Sequence, residues 1–317
     1  MATVTAPPGS KEAGRGVRAA GPARLSERAR DEQRLGWYLV APAVVVMLAV
    51  TAYPLARAVW LSLYSFRLTD PAGKEFVGLR NYGVVLTDSL WWQDVFTTVF
   101  VTVVTVAIEL VIGFAFAMVM NRIVFGRRTV RTSILIPYGI ITVVAAYAWQ
   151  YAFSLDSGFV NSWFGLGDKA WFSDRWSALT VIILAEVWKT TPFISLLLLA
   201  GLAQVPEELI EAAKVDGATA RQRLWRVLIP NMKAAIMVAL LFRTLDAYRI
   251  FDSIFIMTGG AENTESVSFL TYRQTIVRTE LGLGSAVSML LFLSVVLIAF
   301  GFIKGFKVDL SRVRGAD

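Results

Sequence analysis

The sequence of 317 residues contains no cysteine and no histidine. Without cysteine the chain has no disulfide and no thiolate nucleophile, and without both residues it lacks the usual ligands of structural zinc and of haem. The side chain that most often serves enzymes as a general base is also missing. We therefore expect no metal site and no catalytic residue in this chain.

Charge is also sparse, since 17% of the residues are charged, 56% are hydrophobic and the mean hydropathy is +0.58. Soluble domains are about 45–50% apolar and about 25% charged. The apolar residues come in blocks of about 20 or more, the length of helix that crosses a bilayer. These blocks lack the two-residue alternation of a membrane β-barrel. The sequence predicts an all-α, multi-pass membrane protein.

Six transmembrane helices are predicted, at residues 37–64, 95–120, 130–153, 179–200, 234–257 and 284–304. The chain divides accordingly into a tail, a first helix with its outer loop, a transmembrane core and a second tail, at 1–34, 35–94, 95–306 and 307–317. The composition of the first tail indicates disorder or a short helix on the membrane surface.

Lys and Arg are concentrated in alternate connections, namely the N-terminal tail, residues 121–131, residues 201–233 and the C-terminal tail. The connections between these are poor in Lys and Arg and rich in tryptophan. By the positive-inside rule, both termini lie in the cytoplasm of a protein of the plasma or inner membrane. The net charge of +7 is thus explained by orientation in the bilayer, and no nucleic-acid partner is expected.

A long charged stretch, PEELIEAAKVDGATARQRLWRVLIP, interrupts the apolar blocks at residues 206–230. Pro206 suits the first turn of a helix, Glu207 and Glu208 complement the positive end of its dipole, and Gly217 can end it. A second helix is predicted from Ala218 to Pro230. The local pattern predicts two helices around a glycine turn, lying across the cytoplasmic surface.

This stretch resembles the EAA loop of permease subunits of ATP-binding-cassette (ABC) importers. The matching residues are Glu211, Ala212, Ala213, Asp216, Gly217, Ala218, Val227, Ile229 and Pro230, whereas Leu224 stands where the family usually has an aromatic residue. The segments FVGLRNY, LIPYGIITVVAAYAW and IFIMTGG are also similar to maltose-type sugar permeases, and in detail to the first permease subunit of actinobacterial trehalose importers. The resemblance implies the type I ABC importer permease fold.

The resemblance also implies how the chain is energised. In that family the EAA loop, here residues 201–233, couples the permease to a cytoplasmic ATPase, through residues matching Glu211, Ala212, Ala213, Asp216, Gly217, Ala218 and Pro230. The implied partners are a homologous second permease, two copies of a P-loop ATPase, an extracytoplasmic sugar-binding lipoprotein and a disaccharide, trehalose or a maltose-like sugar. Independently, the chain lacks a P-loop, because its one Gly-Lys pair, Gly73-Lys74, is followed by Glu75. We expect ATP and magnesium to bind only to the partner.

Charged residues inside the predicted spans have two interpretations. Arg243, Asp246, Arg249 and Asp252 follow one another at three-residue spacing in the fifth span, and Glu186 and Lys189 do so in the fourth. Each charge costs about 2.5–3.5 kcal/mol at mid-membrane, so each set should pair or face water. In the first interpretation they are salt bridges that fix the bundle. In the second they line a sugar path, with Tyr248 and Phe251 supplying apolar faces.

Two further features of the spans bear on packing. Glu109 is the only acidic residue of the second span, and we expect it to pair with a residue of a neighbouring helix. Pro192 should kink the fourth span or end its regular hydrogen bonding.

Three other function classes remain open from the residues alone. An ion-coupled secondary transporter would carry an inverted repeat, and none is visible in the sequence. An intramembrane enzyme using Asp or Glu is possible in principle, although His and Cys are missing. A membrane scaffold would explain the helices but not the four charges of the fifth span.

Overall fold

The computed structural model describes residues 27–123 and 126–305. The chain divides into two compact units, one ending at Leu55 and one beginning at Ala56. Helix α1 (Glu27–Ser62) forms the described part of the first unit and continues into the second, so it begins before residue 37, where the first span was predicted to start. Residues 1–26 and 306–317, which include most of both predicted tails, lie outside the described residues.

Three more long helices have the length and apolarity of membrane spans: α3 (Ser89–Arg122), α7 (Arg175–Leu202) and α14 (Leu281–Gly305). Together with residues 34–62 of α1 they make four candidate spans among the described residues. Two bent pairs of helices raise the count to as many as six if each pair is one span. The six predicted spans correspond to this upper count.

The third predicted span is not a straight helix. Helices α4 (Arg127–Gly139) and α5 (Thr142–Ala152) meet at an angle of 88°. Ile140 and Ile141, between them, have extended backbones with ψ near 136° and 133°. The prediction of one helix over 130–153 was wrong, because the apolar pattern does not reveal two extended residues after Gly139.

The fifth predicted span is broken as well. Helix α11 (Lys233–Ala247) ends four residues before the short helix α12 (Asp252–Met257) begins. Inside the break, the carbonyl of Ile250 accepts a hydrogen bond of 2.8 Å from the Ser266 hydroxyl. The four charges at three-residue spacing therefore do not share one helix, since Arg249 lies in the break and Asp252 starts a new helix.

Close backbone contacts hold the centre of the second unit together. A Cβ placed on Gly113 of α3 would lie 2.8 Å from the side chain of Ile194 of α7. A Cβ on Gly201 of α7 would lie 2.3 Å from the Cβ of Ala235 of α11. Both distances are too short for real atoms, so glycine at these two positions lets α7 lie directly against α3 and α11.

One face of this unit is formed by residues 63–88, 153–174 and 258–280, and we call it the aromatic face. It contains a hairpin of β1 (Tyr64–Arg67) and β2 (Asp70–Phe76), which the all-α prediction did not anticipate. It also contains α2 (Arg80–Thr87), α6 (Val160–Phe164) and α13 (Val267–Tyr272). The Arg67 guanidinium binds the carboxylate of Glu280, which ties the hairpin to the start of α14.

The segment 258–280 is anchored to α3 and to itself by buried polar contacts. The backbone N–H of Val267 donates to the Thr98 hydroxyl at 3.0 Å. Arg273, in a π-helical turn over Arg273–Val277, lies 2.6 Å from the carboxylate of Glu265. Burial raises the pKa of Glu265, although Arg273 and Arg278 act in the opposite direction.

Candidate functional site

The opposite face carries the charged stretch and consists of residues 203–232, which we call the coupling face. Its first arm is helix α8 (Glu207–Val215), and Pro206, which was predicted in the first turn, precedes the helix as its N-cap residue. Glu207 and Glu208 lie in its first turn and Lys214 in its last, the arrangement that the helix dipole favours. No residue of α8 is buried. The amphipathic helix therefore forms but is left largely uncovered.

A left-handed residue ends α8. Gly217 has φ of +76°, and the N–H of Ala218 reaches back to the carbonyl of Ala213 at 2.9 Å. This is the glycine-ended helix terminus that satisfies the last carbonyls of a helix. The next arm begins at Ala220, two residues later than predicted, because Thr219 forms a reciprocal capping box with Gln222.

The second arm is not a uniform helix. It runs through α9 (Ala220–Arg223), a π-helical turn (Leu224–Leu228) and α10 (Ile229–Asn231). Pro230, which has no backbone N–H, lies two residues after the end of the π-helical turn. This arm then bends by 71° into the segment Lys233–Met257. The coupling face is thus joined directly to the broken fifth span.

The predicted coupling residues lie together on this loop. Glu211, Ala212, Asp216, Gly217 and Pro230 are exposed, and Ala213 and Ala218 are half-buried. Two apolar side chains beside them are also exposed and were not singled out from the sequence: Val215 at 88% and Trp225 at 62%. The sequence could have indicated that Val215 is exposed, since this residue stands between the charged residues Lys214 and Asp216 at the end of a helix predicted to lie on the surface.

A second constellation lies inside the bundle and centres on Arg243 of α11, which is 2% exposed. Its Nε lies 2.6 Å from Glu109 Oε2 and its Nη2 lies 2.9 Å from Glu109 Oε1. Its Nη1 lies 2.6 Å from Asp246 Oδ2, which confirms the predicted pairing at three-residue spacing. The expected partner of Glu109 is thus an arginine on another helix, and Thr190 of α7 adds a hydrogen bond of 2.6 Å.

Glu186 of α7 completes this network, which joins α3, α7, α11 and α12. Its carboxylate lies 3.5 Å from Arg243 Nη2 and accepts a hydrogen bond from the Ser253 hydroxyl. The proposed pairing of Glu186 with Lys189 was wrong, because Glu186 turns toward α11 and α12 instead. Pro192 does not end α7, which continues to Leu202.

The remaining residues of the predicted sugar path fall into two groups. The carboxylate of Asp246 is 63% exposed, and Arg249 and Asp252 are also exposed. Tyr248, by contrast, is 6% exposed, and the ring of Phe251 stacks on Phe255 with 5.3 Å between centroids.

Lys189 lies beside a pair of stacked rings. Its ammonium is 5.8 Å from the ring centre of Tyr138, and Tyr138 stacks on Phe193 with 5.6 Å between centroids. The sequence did not single out these two aromatic residues, because they lie on different spans and meet only in the fold.

Comparison with known proteins decides the family. Residues 109–306 match the family described as binding-protein-dependent transport system inner membrane component. The chain belongs to this family. It is 52% identical to the trehalose transport system permease protein SugA of Mycobacterium tuberculosis over 275 residues, 87% of this chain and 89% of that protein. It is 37% identical to the trehalose/maltose transport system permease protein MalF of Thermococcus litoralis, over 86% of this chain and 94% of that protein.

The fold agrees with solved members of ABC importers. The structure superposes on a bacterial ABC transporter involved in the import of the acidic polysaccharide alginate, with a TM-score of 0.76 and 19% identity over 90% of this chain and all of that chain. At this identity the likeness concerns the fold alone. The fold is that of an ABC importer permease, and the chain is a multi-pass membrane component of such a transporter.

Family membership also bears on the other function classes. Permease components of this family are non-catalytic, so the enzyme and scaffold interpretations lose their support, as does the ion-coupled alternative. Within residues 27–123 and 126–305, no group of three or more Asp, Glu, His or Cys side chains is placed to hold a metal ion.

Proposed function

We propose that this permease forms half of the pore of an ATP-driven importer of a disaccharide, trehalose or a maltose-like sugar. The observation that carries the proposal is the uncovered coupling face, where Glu211, Asp216 and Gly217 occupy the positions of the family's ATPase-docking loop. The sugar class is supported by the relatives named for trehalose and maltose transport. A homologous second permease supplies the other half of the pore.

The coupling face lies in the cytoplasm in this proposal, and the aromatic face lies outside. The support is the concentration of Lys and Arg on the coupling face and in the predicted tails. Two copies of a P-loop ATPase bind ATP and magnesium and contact the two permeases. An extracytoplasmic sugar-binding lipoprotein delivers the sugar to the aromatic face. This chain binds no nucleotide itself.

The exposed apolar side chains fit the coupling face to a protein partner. Val215 and Trp225 project beside a turn that is fixed by a capping box and by Gly217. A rigid turn that presents apolar side chains and charges of both signs is suited to a cleft in another protein, because little conformational entropy is lost on docking. Movement of the docked turn passes to the fifth span through the 71° bend.

Burial reduces the number of side chains that are available to contact a sugar. The side chain of Arg243 is 2% exposed and already binds three carboxylates. Together with Glu109 and Glu186 it holds the helices together and is not available to bind a sugar. Asp246, Arg249 and Asp252 are exposed and Lys189 is half-buried, whereas Tyr248 is buried and Phe251 is half-buried. We propose that these four charged side chains hydrogen-bond the sugar, while the stacked rings of Tyr138 and Phe193 provide an apolar surface beside Lys189.

Co-purification tests the docking. The tagged chain is extracted gently from its own cells and the proteins that elute with it are identified, for the wild type and for Glu211→Arg. We expect the wild type to bring a second permease and a P-loop ATPase, and Glu211→Arg to lose the ATPase only.

The matched control is Glu75→Arg, which makes the same change at an exposed position of the aromatic face. It should retain every partner. If no ATPase elutes with the wild type, or if Glu211→Arg retains it fully, the coupling role is refuted. Uptake of radiolabelled trehalose and maltose by the same cells tests the sugar class.

A further inference from the structure

A cavity of about 630 Å³ opens on the aromatic face between α5, the segment 153–173 and the end of α12. It falls within the range of small-molecule sites, about 300–1,000 Å³. Six of its lining residues carry the argument: Tyr147, Gln150, Tyr151, Ser154, Ser157 and Trp171. None of these was considered as a site residue from the sequence.

The lining combines aromatic rings with neutral hydrogen-bonding groups. No charged side chain is among the described residues that line the cavity. The rings of Tyr147 and Tyr151 provide apolar faces, whereas the Trp171 ring carries the Lys169 ammonium 3.8 Å from its centre. The hydroxyls of Ser154 and Ser157 can donate or accept hydrogen bonds. A neutral ligand with both C–H faces and hydroxyl groups, which is the chemistry of a glycosyl unit, matches such walls.

One polar group of the wall has a fixed orientation. The amide nitrogen of Gln150 donates to the carbonyls of Ile256 and Met257, at 2.9 and 3.2 Å. With the nitrogen engaged in these two bonds, Oε1 remains as the acceptor of this side chain. Gln150 therefore joins α5 to the end of α12 and presents an acceptor that need not be reoriented when a hydroxyl arrives.

A neighbouring cavity on the same face has a different, apolar lining. It measures about 690 Å³ and is lined by apolar and aromatic residues that include Trp149, Trp163, Leu184 and Trp188. Trp171 belongs to the walls of both cavities. The two cavities thus differ in chemistry although they lie side by side, and only the first offers several hydroxyl and amide groups.

The first cavity is also connected to the proposed sugar path through helix α12. Met257, in its wall, ends the helix that Asp252 begins. Met257 comes five positions after Asp252 in this helix, a rise of about 7.5 Å. The cavity is therefore about one and a half helical turns farther toward the aromatic face than the exposed carboxylate of Asp252.

We propose that this cavity is a waiting subsite for the incoming sugar, in which a glycosyl unit stacks on Tyr151 before it moves inward to Asp252. The inference rests on the proposed function, because it needs a sugar that enters from the aromatic face. It assigns to α5 and the segment 153–173 a binding role separate from that of the fifth span.

The absence of cysteine makes a direct test possible, because one introduced thiol can be followed alone in this chain. Ser157→Cys places it in the cavity wall, and Ser162→Cys places it at an exposed position of α6 outside both cavities. The assembled transporter, without its binding protein, is treated with a membrane-impermeant maleimide, with and without trehalose. At three times the Kd about a quarter of the sites stay free, so labelling of Ser157→Cys should slow about fourfold.

Ser162→Cys should be labelled at the same rate with and without trehalose. Adding Tyr151→Ala to Ser157→Cys should remove most of the protection. Tyr151→Ala should also lower trehalose uptake at limiting sugar by about two- to tenfold, the range of one aromatic contact, whereas Leu184→Ala, at a residue of α7 in the wall of the apolar cavity, should leave uptake unchanged.

Uptake by wild-type cells separates the two proposals. If neither trehalose nor maltose enters, the proposed sugar transport fails and the subsite fails with it. If trehalose enters but does not slow labelling of Ser157→Cys, the subsite alone is overturned. Equal protection of Ser157→Cys and Ser162→Cys would also overturn it, because the sugar would then close the whole face and not fill the cavity.

Discussion

The guanidinium of Arg243 holds the carboxylate of Glu109 with two hydrogen bonds, of 2.6 and 2.9 Å, between α11 and α3. Neither side chain is more than 2% exposed. A buried pair of this kind contributes little net stability over an apolar pair, but removal of one partner leaves the other charge uncompensated. The pair therefore makes the relative position of α3 and α11 costly to change.

Arg243→Met should destabilise the protein by about 3–5 kcal/mol, because Glu109 and Glu186 lose their shared cation. Thermal unfolding of the purified transporter in detergent measures this as a lowered Tm. Adding Glu109→Gln to Arg243→Met should restore part of the loss. The control is Arg249→Met, at an exposed arginine of the same stretch, and an equal fall in Tm for both arginines would contradict the prediction.

Gly201→Ala should lower the Tm, because the new methyl group would meet the Cβ of Ala235 at 2.3 Å and push α7 away from α11. The expected cost is about 1–3 kcal/mol, the range for an overfilled contact. Gly301→Ala is the matched control, since a Cβ at this glycine of α14 has no atom within 4 Å. Its effect should stay within about 1 kcal/mol, the difference in helix propensity. Equal effects would show that the close contact is unimportant.

Val215→Asp should weaken association with the ATPase without lowering the Tm of the permease, because Val215 is 88% exposed. A hot-spot side chain of an interface contributes 2 kcal/mol or more, so we expect a loss of affinity of about thirtyfold. Titration of the ATPase onto immobilised permease measures it. Val277→Asp changes a 63% exposed valine of the aromatic face and should leave the affinity unchanged. Full affinity in Val215→Asp would remove this residue from the docking surface.

Glu265 should make stability depend on pH. Burial raises its pKa above the ordinary value of 4.5, so the folded state holds the proton more tightly than the unfolded state. Its contribution is therefore most favourable below pH 4.5 and declines as the pH rises toward the raised pKa. Glu265→Gln removes this titration, so its Tm relative to that of the wild type should increase from pH 4 upward. A constant difference across that range would contradict the prediction.

The long elements could be predicted from the sequence because their cause is local. About 20 apolar residues specify a helix in lipid whatever surrounds them, and α3, α7 and α14 lie within a few residues of their predicted bounds. The first arm of the coupling face was equally accessible, since Pro206 and Gly217 mark its two ends.

The breaks in the third and fifth spans, and the contacts between side chains of different helices, could not be predicted in the same way. The partner of Glu109 is 134 residues away, and the stacking of Tyr138 on Phe193 joins two spans. The periodicity of apolar residues contains no information about contacts between residues that are far apart in the sequence. The hairpin Tyr64–Phe76 was missed because its residues, with Asp70, Gly73 and Lys74 among them, lack the alternating pattern of a half-buried strand.

The hydrogen bond from Ser266 to the carbonyl of Ile250 has a consequence for the synthesis of the protein. This carbonyl lies in the break of the fifth span, where regular helical bonding stops, and the hydroxyl that satisfies it is 16 residues farther along the chain. The break therefore cannot reach its final bonding until Ser266 has left the ribosome. The bonding of the fifth span is thus completed only when the following segment folds back onto it.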